Sequence, residues 1–132
     1  MIERIKVDDI EVALIIKSDF FQKGINFFTN ENEDFQLGYM SRPAGYKIKP
    51  HKHILKTRTI NTTSEVLFLK KGNVRVNFYD SNDVFKNSVE LKTGDLILLK
   101  NGAHGFDILS DSVMYEVKQG PFHGAEDKEH IE

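Results

Sequence analysis

The sequence contains no cysteine, which excludes a disulfide framework, a thiolate nucleophile and a cysteine-ligated zinc site. No apolar run in it approaches the roughly 18 residues that a membrane-spanning helix needs. The opening stretch MIERIKVDDIEV lacks the basic region and apolar core of a secretory signal, so a cytoplasmic location is expected. Charge of one sign is also missing: 18 Lys and Arg stand against 20 Asp and Glu, for a net charge of -2. That balance gives no electrostatic reason to expect nucleic acid or an acidic membrane as partner. There is no long, capped pattern of helical period, no internal repeat and no low-complexity segment. DFFQKGINFF (19–28) has room for one helical turn, and AEDKEHIE at the end reads as part of a polar, solvated tail over 121–132.

What the chain does have is the material of an all-β domain. Its 132 residues suit a single domain, 1–132, long enough to bury roughly two-thirds of the surface its unfolded chain exposes. Ten Phe and four Tyr are spread among short apolar runs that alternate with turn residues. VALIIK (12–17), INFFT (25–29), FQLGYMS (35–41), YKIKPHKHI (46–54) and EVLFLKK (65–71) read as strands. So do VRVNFYD (74–80), VELK (89–92), DLILLK (95–100), HGFDIL (104–109) and VMYEVKQ (113–119). RPAG, KKGN, DSND, KTGD, KNGAHG and LSDS separate them and supply the Gly, Asn, Asp and Ser of turns. Strands this short and numerous must close into a barrel or pair as two sheets, because open edges invite aggregation.

The chemistry concentrates on histidine. Residues two apart share a face of a strand, so His51 and His53 point together and Lys52 points away. Pro50, just before them, suits the first position of a strand. Glu65 shares a face with Leu67 and Leu69, where a carboxylate is costly unless it is paired, protonated or metal-bound. His104 opens another apolar strand whose face continues in Phe106 and Ile108. Three imidazoles and one carboxylate make an N3O set that suits Fe(II), Mn(II), Ni(II), Co(II) or Zn(II) and leaves room for water or substrate. The plainer alternatives are solvated histidines beside Lys47, Lys49 and Lys52, an ion pair of Glu65 with Lys70 or Arg58, and a His104 that merely satisfies a turn. His123 and His130 have no partner at ligand spacing and read as surface residues.

Gly45-x5-His51-x-His53 with Glu65-x6-Gly72 resembles the first motif of the cupins, small jelly-roll barrels of two antiparallel sheets. In that motif the two histidines and the glutamate are metal ligands. GDLILLKNGAH, from Gly94, resembles the second cupin motif, whose histidine is the fourth ligand and corresponds to His104. The resemblance covers about 35–120 as the core barrel, with N-terminal strands over 1–34. It departs from the family pattern in the gap between His53 and Glu65, which is eleven residues instead of three or four. Lys100 stands where proline is common, one residue instead of two separates Gly102 from His104, and the motif's final asparagine is missing. A register not reset in that shortened turn would point His104 outward.

The resemblance implies a divalent transition metal and several activities: dioxygenases, sugar isomerases and epimerases, decarboxylases, or binding modules without turnover. The expected function is a metalloenzyme of isomerase/epimerase or dioxygenase type acting on a small polar, sugar-derived or oxygenated acid substrate. The alternative is a non-catalytic binding or sensing cupin, and a vestigial barrel is a third reading. Glu116 and Lys118 share one face of the last strand, opposite Tyr115 and Val117, and are the candidate proton-moving pair if that face is inward. Arg58, Tyr79 and Phe106 are the candidate substrate contacts; Arg58 is suited to gripping a carboxylate or phosphate. Tyr79 alternates with Arg75 and Asn77 against Val74, Val76 and Phe78, and one of the two sets faces inward. A homodimer is expected from the family's habit and the strand edge within 12–29.

Overall fold

The computed structural model describes residues 1–131, so the last residue of the expected tail, Glu132, lies outside it. The chain divides into two compact units, one built from residues 1–20 and the chain from 63 onward, the other from residues 21–62. The expected core over 35–120 therefore draws on both. The protein is all-β, with several antiparallel sheets, and among the described residues no helix is long and apolar enough to cross a membrane.

The first unit carries two sheets. One has β1 (Ile2–Val7), β2 (Ile10–Ile16), β8 (Leu96–Leu99), β5 (Glu65–Lys71) and β10 (Val113–Lys118), in the order β1-β2-β8-β5-β10. The other has β7 (Phe85–Lys92), β6 (Asn73–Tyr79) and β9 (His104–Ile108), in the order β7-β6-β9. Alternation marks the inward faces of β5 and β6, whereas β2 and β8 are apolar and buried on both faces, Leu14 and Leu98 included. Val74, Val76 and Phe78 of β6 are buried, and so are Leu67, Leu69, Ile97, Leu99, Ala13 and Ile15 of the larger sheet. Each of these side chains larger than alanine contributes about 1.5–3 kcal/mol by leaving water, which offsets the ordering of many short strands.

β1 is a strand that the sequence reading missed. Its Glu3, Arg4 and Lys6 mask the apolar set, and Val7 pairs with Ile10 across Asp8 and Asp9, both at positive φ (51° and 64°). Two left-handed residues suit the twist of a two-residue hairpin, but Asp-Asp is a weaker turn signal than Asn-Gly. Gly72, between β5 and β6, has φ 119°, and a Cβ there would lie 2.7 Å from the Asp111 carbonyl oxygen. Only glycine fits both demands.

Asp95 is the buried charge of this unit, 1% exposed. It accepts hydrogen bonds from the Lys17 ammonium (2.8 Å), the Ser18 N–H (2.9 Å) and the Lys92 N–H (2.8 Å). Burial alone would raise its pKa; the three donors and the lysine charge outweigh burial and hold the carboxyl below its ordinary value.

The second unit holds a hairpin of β3 (Gly24–Phe27) and β4 (Gly38–Ser41). Gln36 organises the loop between them, its amide donating to the carbonyls of Asn30 (2.8 Å) and Glu33 (2.9 Å). No helical turn forms over 19–28, and residues 42–64 have no regular secondary structure. The strand expected over 46–54 is thus corrected: its alternation is that of a strand, but Pro50 withholds an N–H and no neighbouring strand pairs with it.

Candidate functional site

Glu65 opens β5 with Leu99 of β8 opposite it on one side and Lys118 of β10 on the other. Its face continues in Leu67 and Leu69, so the carboxylate looks into the space between the two sheets. His104 opens β9 opposite Phe78, a core residue, and therefore also points inward. Gly102 at φ 107° absorbs the shortened turn before it. His104 Nε2 and Glu65 Oε1 meet at 2.8 Å, with side chains 25% and 15% exposed. A carboxylate only accepts, so Nε2 carries the hydrogen and donates it. This bond is the main reason the Glu65 carboxyl lies below the usual carboxylate range. Burial opposes it, while the charges of His104, Lys118 and Lys128 reinforce it.

Register decides the orientation that alternation left open on β10. Glu116 lies opposite Leu67 and Lys118 opposite Glu65, so both belong to the inward face, while Tyr115 and Val117 lie on the other. They sit at its open end: Lys118 Nζ is 3.6 Å from Glu116 Oε1, with side chains 31% and 46% exposed. Lys118 Nζ also stands 5.1 Å above the ring of Phe122. Phe106 is opposite Val76 on the inward face, its ring 5.5 Å from that of His104 and edge-on to it. Tyr79 is placed elsewhere. Val74, Val76 and Phe78 occupy the inner face of β6, so Tyr79 lies on the outer face with Arg75 and Asn77 and packs edge-on against Phe85 at 6.0 Å. Arg75 and Asn77 both donate to Asp107, at 3.2 and 3.0 Å. The structure does not bring Tyr79 to the Glu65–His104 pair.

Three contributors escaped the sequence reading. Gln119 accepts the Ser64 N–H at 2.7 Å and so fixes the chain just before Glu65. Phe122 and Lys128 belong to the segment read as a solvated tail, yet one caps Lys118 and the charge of the other reaches Glu65. The aromatic at 122 was the one signal of contact in an otherwise polar stretch.

In the second unit His51 and His53 are exposed, and their rings meet edge-on at 5.5 Å, as side chains two apart do in extended chain. His51 Nδ1 lies 2.8 Å from the Lys49 carbonyl oxygen. A carbonyl cannot donate, so Nδ1 bears the hydrogen, and Nε2 is the ring nitrogen left to face a ligand. That is the second-sphere bond typical of a ligating imidazole. Arg58 lines a cleft of about 470 Å³ with Glu31, Asn32, Glu33, Asp34, Gln36 and Ile60. Three carboxylates beside it make this a poor place to grip an anion.

Within each unit, among the described residues, no group of three or more His, Asp or Glu side chains is placed to hold a metal ion. What exists is two pairs. Imidazole nitrogen and carboxylate oxygen are donor types that divalent transition metals accept, and the 2.8 Å between Glu65 and His104 is the length of the hydrogen bond they share. Comparison with family models, with curated proteins and with solved structures finds no match to this chain.

Proposed function

We propose that the chain is a metal-binding cupin, a jelly-roll barrel in which His51, His53, Glu65 and His104 together hold one divalent transition metal ion. The observation that carries the reading is the inward-facing Glu65–His104 pair, which two different sheets bring to 2.8 Å at the positions of the motif ligands. The His51 tautomer set by Lys49 supports it from the other motif. The unpaired outer edges of β9 and β10 are what closure into a barrel would satisfy.

The proposed activity is isomerase/epimerase or dioxygenase chemistry on a small polar substrate. A metal bound there would polarise a substrate oxygen or take up dioxygen. For Nε2 of His104 and the Glu65 carboxylate to face an ion together, the hydrogen they share would have to leave Nε2, for instance by moving to Nδ1 of the same ring. Lys118 and Glu116, at the open end of the same face, are placed to hand a proton to or from a substrate group. Phe106 forms an apolar wall beside His104. A cytoplasmic location and a homodimer belong to this proposal. The solvated state of Lys118 and Glu116 favours, as second reading, a cupin that binds a small molecule without turnover, since a proton-transfer pair gains its power from burial.

Elemental analysis of protein purified without added metal tests the site, with one iron, manganese, nickel, cobalt or zinc per chain expected. Oxygen uptake by an iron-loaded sample would mark a dioxygenase, and its absence with a bound non-redox metal would mark an isomerase or binder. Protein that retains no metal and takes none up contradicts the proposal.

A further inference from the structure

Between Asp34 and Glu65 the chain has no carboxylate, yet it carries six lysines and arginines in a protein of net charge -2. Arg58 is offset by the acidic residues of its cleft. Arg42 is held over the ring of Tyr46 at 4.3 Å. Lys47, Lys49, Lys52 and Lys56 are exposed and, among the described residues, form no ion pair. They bracket the two histidines: Lys49 is the residue whose carbonyl orients His51, and Lys52 lies between His51 and His53.

Unpaired ammonium groups in a row raise the local concentration of anions and repel cations over about a Debye length, roughly 8 Å at physiological salt. A bare metal ion is disfavoured there, and one that meets an anion is favoured. A neutral sugar would leave the row without a counter-charge.

We propose that residues 46–56 form an anion-recognition arm, and that the molecule handled at His51 and His53 is a small acid carrying carboxylate or phosphate groups. The assignment rests on the reading of the two histidines as ligands and narrows its substrate from polar to anionic. Recognition of the charge is the work of Lys47 and Lys49, which share the alternation of His51 and His53; Lys52 points to the other side and Arg58 takes no part in it.

The test is an NMR titration of the full chain, stripped of metal on a chelating resin, with inorganic pyrophosphate, citrate, glucose and a short DNA duplex. Pyrophosphate or citrate is expected to shift the backbone amides of 46–56, and whichever acts at lower concentration names phosphate or carboxylate as the group. K47Q/K49Q is expected to weaken that binding about tenfold and K52Q much less, while zinc affinity, measured separately, stays level or rises because a repulsive charge has gone. H51A/H53A is expected to lose zinc and keep the anion. Anion binding in a wild-type chain that takes no zinc would overturn the metal reading and leave the arm standing. No amide shifts from either anion, an undiminished response in the double lysine variant, or an equal response to glucose would overturn the arm. Tighter binding of the duplex than of pyrophosphate would overturn the assignment to a small molecule.

Discussion

Glu65–His104 and His51–His53 are both pairs of potential ligands, but they are held in opposite ways. The first pair is held by tertiary structure. Its members come from strands 39 residues apart, and each points inward because its neighbours in register are core residues. The second pair is held by two residues of separation, one carbonyl and a ring contact, on a segment without sheet pairing. A site built from both would have one rigid half and one adaptable half. The rigid half keeps its geometry through packing, whereas the adaptable half can conform to an ion or a ligand.

That contrast can be broken first at the core. Leu69 is fully buried on the face that continues from Glu65, so Leu69→Ala should cost about 3 kcal/mol in chemical denaturation. It should also raise hydrogen-exchange rates at His104 and Glu65 while leaving 46–56 unchanged.

A smaller effect is expected at Asp95. Asp95→Asn should cost about 2 kcal/mol, because a carboxylate that accepts three hydrogen bonds is replaced by an amide. The sign with pH follows from its lowered folded-state pKa. Its contribution is present above the unfolded value of about 3.9 and is lost as pH falls through the folded value. Acid titrations of the wild type should therefore show a loss of stability below about pH 4 that the Asn variant lacks in part.

Glu65→Gln should cost about 1 kcal/mol, the worth of one partly buried charge-assisted hydrogen bond. The imidazole resonances of His104 should move with it in NMR spectra. His51→Ala with His53→Ala should change stability by less than about 0.5 kcal/mol, as exposed side chains do. A larger loss on thermal unfolding would mean that the second pair is as bound to tertiary structure as the first.

The sequence was most legible where alternation and packing agree. On β6 alternation separated Val74, Val76 and Phe78 from Arg75, Asn77 and Tyr79 without saying which set faces inward, and burial of the first set decides it, taking Tyr79 away from the expected substrate side. It was least legible where alternation has no partner. YKIKPHKHI has a strand's pattern, but a strand is stabilised by its neighbours, and none pairs with it. The inward turn of His104 could not be read from spacing, since a shortened loop leaves register undetermined until Phase-setting Gly102 is seen at positive φ. The same holds for Glu116 and Lys118, whose face follows only from pairing with Leu67 and Glu65.

The central claim is that the two pairs serve one ion. A double-mutant cycle on metal affinity tests it most directly, with H51A/H53A as one arm, E65Q/H104Q as the other and the quadruple variant closing the cycle. The account predicts one ion per wild-type chain, a loss of about a hundredfold or more in each arm, and a quadruple variant scarcely weaker than either. Losses that simply add, or an arm that leaves affinity intact, would contradict it.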